Sequence, residues 1–199
     1  KYWQKGYWPE GAEKLAATVI STKYLKHPQP CYGCPIGCAR YIEVKEGPYA
    51  PIIGGNPEYE GMSSFGTLLM NEHIKSVLKA HELCNRYGLD LISAGAAIGF
   101  AMTLYEKGIL TKKETGGLEL KWGGPKVILQ LVQDMANRKG LGNILCDDVR
   151  EAAKKIGKGS EEYAVHVKGM SVPMHDPRAF FSLAAAYATS TRGAFHFHA

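Results

Sequence analysis

The chain has 199 residues, 45% hydrophobic and 22% charged, which is enough for one sizeable core and excludes a disordered or fibrous chain. Its 24 basic and 19 acidic residues leave a net charge of +5 but are scattered, so a nucleic-acid-binding surface is not expected. A mild field of that sign suits an acidic small molecule or an acidic electron-transfer partner.

The opening KYWQKGYWPEGAEKL lacks the regions of a secretory leader, and no run approaches the ~20 apolar residues that span a bilayer. A cytoplasmic protein without a membrane span is expected. The chain starts on Lys1 and stops on Ala199 after an apolar, His-rich run, which suggests a piece of something longer.

In chain order, Ala12, Leu15, Ala16, Val19, Ile20 and Tyr24 recur at helical spacing and predict a first helix over 10–24. HPQP at 27–30 should stop it, because proline disfavours helix in the residue before it and donates no amide. A compact loop with Gly33, Pro35 and Gly37 follows, then a short strand over 40–45. The stretch 47–66 is rich in Gly, Pro and Ser and predicts an extended loop, of a length that usually carries function. A helix over 72–87 presents Ile74, Val77, Leu78, His81 and Cys84 on one face and stops at Gly88. Residues 91–107 are small and apolar almost all round, the pattern of a helix buried among helices with close backbone packing.

After a polar connection over 110–124, Pro125 opens a helix with Val127, Ile128, Leu131, Val132 and Met135 facing inward, and Gly140 ends it. Residues 149–156 are helical, 164–167 suit a short strand, and Asp176-Pro177 marks the start of an Ala-rich helix to about residue 190. No period of about 20 to 50 residues repeats. The expected fold is mainly α with little strand.

Five cysteines is an odd number, and Cys31, Cys34 and Cys38 fall within eight residues, too close for a framework of several disulfides. Thiolates are soft anionic donors, and CYGCPIGC lets one glycine-bearing loop wrap three corners of a compact site. Spacing alone leaves an iron-sulfur cluster and a structural zinc open, with His27 available as a fourth zinc ligand.

Several separated motifs sharpen this. CYGCPIGCAR, PEYEGMSSFG, NRYGLDLISAG, FAMTLYEKGIL, VKGM and DPR over 167–178, and YATSTRGAFH resemble, in this order and across nearly the whole chain, the tungsten-containing aldehyde ferredoxin oxidoreductase family. The resemblance implies that Cys31, Cys34 and Cys38 supply three ligands of a [4Fe-4S] cluster, with the fourth in a late D-x-x-G-L-C motif that these residues lack. Cys146, in LCDDVR, does not match that motif. It also implies that 1–199 is the helical, incomplete portion of a longer subunit, without the family's amino-terminal β domain and its carboxyl-terminal part.

The family holds tungsten between two pterin dithiolenes (tungsten bis-molybdopterin, molybdenum being possible). One pterin is gripped by D-x-x-G-L-D, matched here by Asn85, Gly88, Leu89 and Asp90, with asparagine in place of the first acid. Taken alone, this stretch is an ordinary helix stop at Gly88 with Asp90 capping the next helix. Glu60 matches a family carboxylate close to the metal, with Glu58 the near alternative. His196 matches a histidine proposed to move protons beside the substrate, with His198 the competitor. Cys84 is most simply a small core residue. In the benzoyl-coenzyme A reductase branch, however, a cysteine thiolate is thought to bind tungsten, so Cys84 is also a candidate metal ligand. Trp3, Tyr7 and Trp8 suit packing better than substrate contact.

The implied function is oxidation of a small-molecule aldehyde to a carboxylic acid in an anaerobic, oligomeric enzyme, with electrons leaving for ferredoxin or an iron-sulfur electron-transfer subunit. Ring reduction of an acyl-coenzyme A at the same cofactor, and a non-catalytic zinc or electron-transfer module, are the alternatives.

Overall fold

The computed structural model describes residues 1–198, with side chains through residue 197. Its helices are α1 (Pro9–Lys14), α2 (Ala17–Lys23), α3 (Tyr59–Phe65), α4 (Ile74–Tyr87), α5 (Leu91–Glu106), α6 (Pro125–Ala136), α7 (Gly142–Leu145), α8 (Val149–Ile156) and α9 (Phe181–Thr189). Strands β1 (Leu25–Gln29), β2 (Ala39–Val44) and β3 (Ile52–Gly55) form an antiparallel sheet in that order, and β4 (His166–Val167) pairs with β5 (Met170–Ser171). The fold is mainly α with little strand, as expected.

Helix α5 has no polar face to offer water, so other elements must surround it: every residue from Ala94 to Leu104 is buried. Each of Ile98, Phe100, Met102 and Leu104 contributes about 1.5–3 kcal/mol of burial. Its single internal hydroxyl, on Thr103, is satisfied by donating to the Gly99 carbonyl (2.9 Å) and accepting from Gln4 Nε2 (3.0 Å). The glycines of α5 are points of close approach. A Cβ on Gly95 would lie 2.7 Å from both the Cβ and the carbonyl oxygen of Ser64 in α3, and one on Gly99 would lie 2.6 Å from the Tyr2 ring.

A second core, made of Ile20, Ile42, Val44, Ile52 and Leu78, lies between the three-stranded sheet and helices α2 and α4. Strand β2 alternates as a half-buried strand should, turning Ile42 and Val44 inward while Glu43 pairs outside with Lys26 at 2.6 Å. A third, of Val172, Tyr187 and Ala194, joins the β4–β5 hairpin to α9. No single helix among the described residues is long and apolar enough to cross a membrane.

Five expectations are corrected. The helix expected over 10–24 is two, broken where Ala16 takes ψ 147°, because Leu15 belongs to the main core and Ile20 to the sheet core. HPQP does end it, but the chain continues as β1, where an edge strand tolerates Pro28. The loop expected over 47–66 contains β3 and α3, and the pairing with β2 supplies order that local composition hides. Helix α6 ends at Ala136 rather than Gly140, because α7 packs so closely on its end that a Cβ at Gly142 would strike the Asp134 backbone at 2.2 Å. Helix α9 begins at Phe181 rather than beside Asp176, whose carboxylate instead closes a turn by accepting the Arg178 amide at 2.9 Å.

Gly95→Ala should lower the unfolding free energy by about 1–3 kcal/mol, the cost of overpacking against backbone that cannot yield. Urea unfolding measures it, with the exposed Lys107→Ala as a control expected to change little.

Candidate active site

The first turn of α3 carries Glu60, and Gly61 beside it lets α3 settle against the middle of α4, since a Cβ there would stand 3.0 Å from Pro57 and 3.3 Å from the His81 ring. Glu60 Oε2 accepts the backbone amide of Met174 at 2.8 Å, and Oε1 accepts His175 Nδ1 at 2.6 Å. His196 Nε2 lies 3.9 Å from the same Oε1. All three side chains are half-buried, and one ligand atom from each falls within 4.8 Å of the others, the only such group of three His, Cys, Asp or Glu residues among those described.

Long-range packing brings these residues together. The β4–β5 hairpin and α9 hold residues 172–196 over α3 through the third core. Gly193 makes the return to His196 possible: its φ of +119° favours glycine, and a Cβ would meet the Val167 carbonyl oxygen at 2.5 Å. Arg178 grips Asp176 through its guanidinium and donates to the Trp3 carbonyl at 3.1 Å, tying this layer to the amino-terminal segment.

The His175 ring is confined by the Tyr59 ring at 4.7 Å and by His196, which stacks on it at 5.0 Å and 24°. Its carbonyl accepts the Tyr187 hydroxyl at 3.2 Å, while the Tyr59 hydroxyl donates to the Met174 carbonyl at 3.1 Å. Burial first, and then the charge of Glu60, push the Tyr187 hydroxyl up to about 12, so it remains a donor. His196 Nδ1 is buried with no hydrogen-bond partner among the described residues. The side chain of His198, the competing histidine, lies outside the described residues.

The stretch 85–90 adopts its expected local geometry. Gly88 ends α4 at φ +70°, and Asp90 Oδ1 caps α5 by accepting the Ser93 amide at 2.7 Å. Asn85 Nδ2 bonds the His81 ring and carbonyl. Apart from its chain neighbours and its own helix backbone, no described atom lies within 4 Å of where a Gly88 side chain would begin, and Gly88, Leu89 and Asp90 line a recess of about 260 Å³ together with Asp147 and Asp148. Cys84 is fully buried in the main core, where burial first and Asp90 second push its thiol up to about 12.

Cys31, Cys34 and Cys38 stand on a loop between β1 and β2, the first and last exposed and Cys34 half-buried, all free thiols. Left-handed Gly33 and Gly37 (φ +71° and +58°) turn this loop. His27, the candidate fourth zinc ligand, stacks flat on Tyr41 at 4.9 Å with Nδ1 at the Pro28 carbonyl. Cys146 lies elsewhere, its thiol donating to the Asn143 carbonyl at 3.4 Å. Trp3 packs against the main and third cores, as expected, and with Tyr7, Trp8, Tyr59 and Met174 it also lines a recess of about 340 Å³.

The model of aldehyde ferredoxin oxidoreductase domains 2 and 3 matches residues 1–199. The chain belongs to the aldehyde ferredoxin oxidoreductase family. It is 36% identical over 94% of its length to the tungsten-containing aldehyde ferredoxin oxidoreductase of Thermococcus kodakarensis, and 33% identical over 98% to that of Pyrococcus furiosus. It is also 34% identical over 98% to the WOR-like subunit of an aliphatic sulfonate oxidoreductase of Pyrococcus furiosus. It spans 30%, 31% and 32% of these relatives. The fold matches 28% of a chain in the BamBC active-site complex of benzoyl coenzyme A reductase, solved with 1,5-dienoyl-CoA, with TM-score 0.71, 24% identity and 95% of this chain covered.

Within this family member, the two residues expected to move protons, Glu60 and His196, do meet, although 136 positions separate them (196 − 60). His175 was not foreseen. The only sequence signal for it is a histidine standing directly before the DPR turn, which composition and periodicity pass over.

His81, beside the 85–90 turn, carries a further consequence. Burial lowers its imidazole to about 4 from an ordinary 6.5, so the folded state binds its proton less readily than the unfolded state. Stability is therefore present above pH 6.5 and lost as pH falls from there towards 4. Comparing urea unfolding at neutral pH and near pH 4.5, His81→Phe should escape about 2 kcal/mol of the loss seen in the parent.

Proposed function

We propose that this chain is the helical portion of a tungsten-pterin oxidoreductase subunit that interconverts an aldehyde and a carboxylic acid and passes the electrons through a [4Fe-4S] cluster to ferredoxin or an iron-sulfur partner subunit. The observation that carries this reading is the convergence of Glu60 and His196, in a member of this family, on one half-buried site. Oxidation of RCHO with water gives RCOOH, two electrons and two protons, so the reaction needs groups that accept protons next to the reacting carbon.

The residues present fit the cofactors. Cys31, Cys34 and Cys38 offer three free thiols on a loop turned by left-handed glycines, suited to three corners of a cluster. The open space above Gly88 and the acids of the adjoining recess suit the amino and ring N–H donors of a pterin, with Asn85, Leu89 and Asp90 at its edge. When bound, the pterin-held metal supplies the two-electron chemistry and the cluster relays electrons singly.

Glu60 serves as the proton acceptor and His196 as its exchange partner, since Nε2 faces Oε1 across 3.9 Å, a gap that a small ring movement or one water closes. Cys84 as a metal ligand would need the metal to displace a proton that burial holds firmly, so we assign it to packing first. A WOR-like relative described as one subunit supports a partner that carries electrons away.

The full-length subunit, purified without oxygen, should carry about four irons and about one tungsten, with a low-temperature EPR signal on reduction. Cys34→Ser should lower the iron and weaken that signal. Glu60→Gln should keep both metals while kcat for aldehyde oxidation drops by roughly 10²–10⁴. Zinc without iron or tungsten would overturn the assignment.

A further inference from the structure

His175 is a member of the active site whose part the proton-handling pair does not explain. Residues 174 and 175 form a clamp that holds both oxygens of one carboxylate, the Met174 amide on Oε2 and His175 Nδ1 on Oε1. An ionised carboxylate only accepts, so the proton of the 2.6 Å contact sits on Nδ1. At 2.6 Å the contact is at the short end of N–H to carboxylate bonds, which are among the stronger hydrogen bonds.

A free glutamate samples several rotamers, so a clamp at both oxygens fixes the carboxylate plane and directs Oε1 towards His196 Nε2. The clamp is itself held rigid. The His175 ring is confined between the Tyr59 and His196 rings, with Phe180 edge-on at 6.1 Å, and its carbonyl is anchored by the Tyr187 hydroxyl. The Tyr59 contact and both bonds to Glu60 join α3 to the 172–196 layer, while the His196, Phe180 and Tyr187 contacts lie within that layer, so the clamp forms only when the layer is seated.

We propose that His175 is a positioning residue for the proton step, holding the Glu60 carboxylate through Nδ1 without itself carrying the transferred proton. This rests on the proton role given to Glu60 and His196. It predicts a dependence on which ring nitrogen is replaced: asparagine places an amide N–H where Nδ1 stands, glutamine places it where Nε2 stands, and phenylalanine keeps the ring and removes both donors.

The test uses the full-length enzyme, loaded anaerobically, with acetaldehyde as substrate and benzyl viologen as acceptor. His175→Asn should retain kcat within about threefold, whereas His175→Gln and His175→Phe should lose roughly 10–100-fold, as outer-layer partners commonly do. KM should move little in all three. A second readout needs no turnover: at one fixed pH, the carboxylate infrared band identified by its disappearance in Glu60→Gln should shift in His175→Gln and His175→Phe but not in His175→Asn. An unmoved band with parent-like kcat in all three variants would overturn the proposal. So would equal losses in all three with the band unmoved, because packing alone would then account for them. If Glu60→Gln turns over like the parent, the proton role of Glu60 fails and takes this proposal with it. If Glu60→Gln is inactive while His175→Phe is parent-like in rate and band, the clamp alone fails.

Discussion

Helix α5 needs apolar partners on every side, and that need organises the molecule. Ala94 to Leu104 have no solvent face, so α3, α6, α8 and the amino-terminal Tyr2 close around them, and Gly95 and Gly99 set how near two of those neighbours stand. The position of α3 follows from the Ser64 contact, and with it the position of Glu60. The candidate site is in this sense an outgrowth of core packing: its carboxylate sits half-buried in the first turn of a helix whose other end is buried against α5.

Much of this was legible in the sequence, for identifiable reasons. The helices α4, α5, α6 and α8 each declare themselves by periodicity or by a start and stop residue, and Gly88 ends α4 in the left-handed conformation that its position suggests. What stayed hidden depends on distant partners. Strand β3 is four residues with a single buried side chain, intelligible only beside β2. The break at Ala16 has no proline or glycine to announce it and exists because Leu15 and Ile20 serve different cores.

The site divides along the same line. Glu60, His196 and the cysteine triplet stand in motifs with recognisable spacing, whereas His175 acquires its meaning from atoms 115 positions away (175 − 60), across the boundary between α3 and the carboxyl-terminal layer. Local sequence also gave Asp90 two meanings. The structure realises the simpler one, a helix cap, and the same residue also lines an open recess.

The contact between Gly193 and Val167 has a wider bearing. The histidine's location is fixed by a backbone crossing in which a chain with no side chain passes a carbonyl oxygen of the small hairpin. The approach of His196 to Glu60 therefore depends on a residue with no ionisable group. Divergence within this layer can shift or abolish that approach by editing shape alone, leaving every acid and base in the sequence intact.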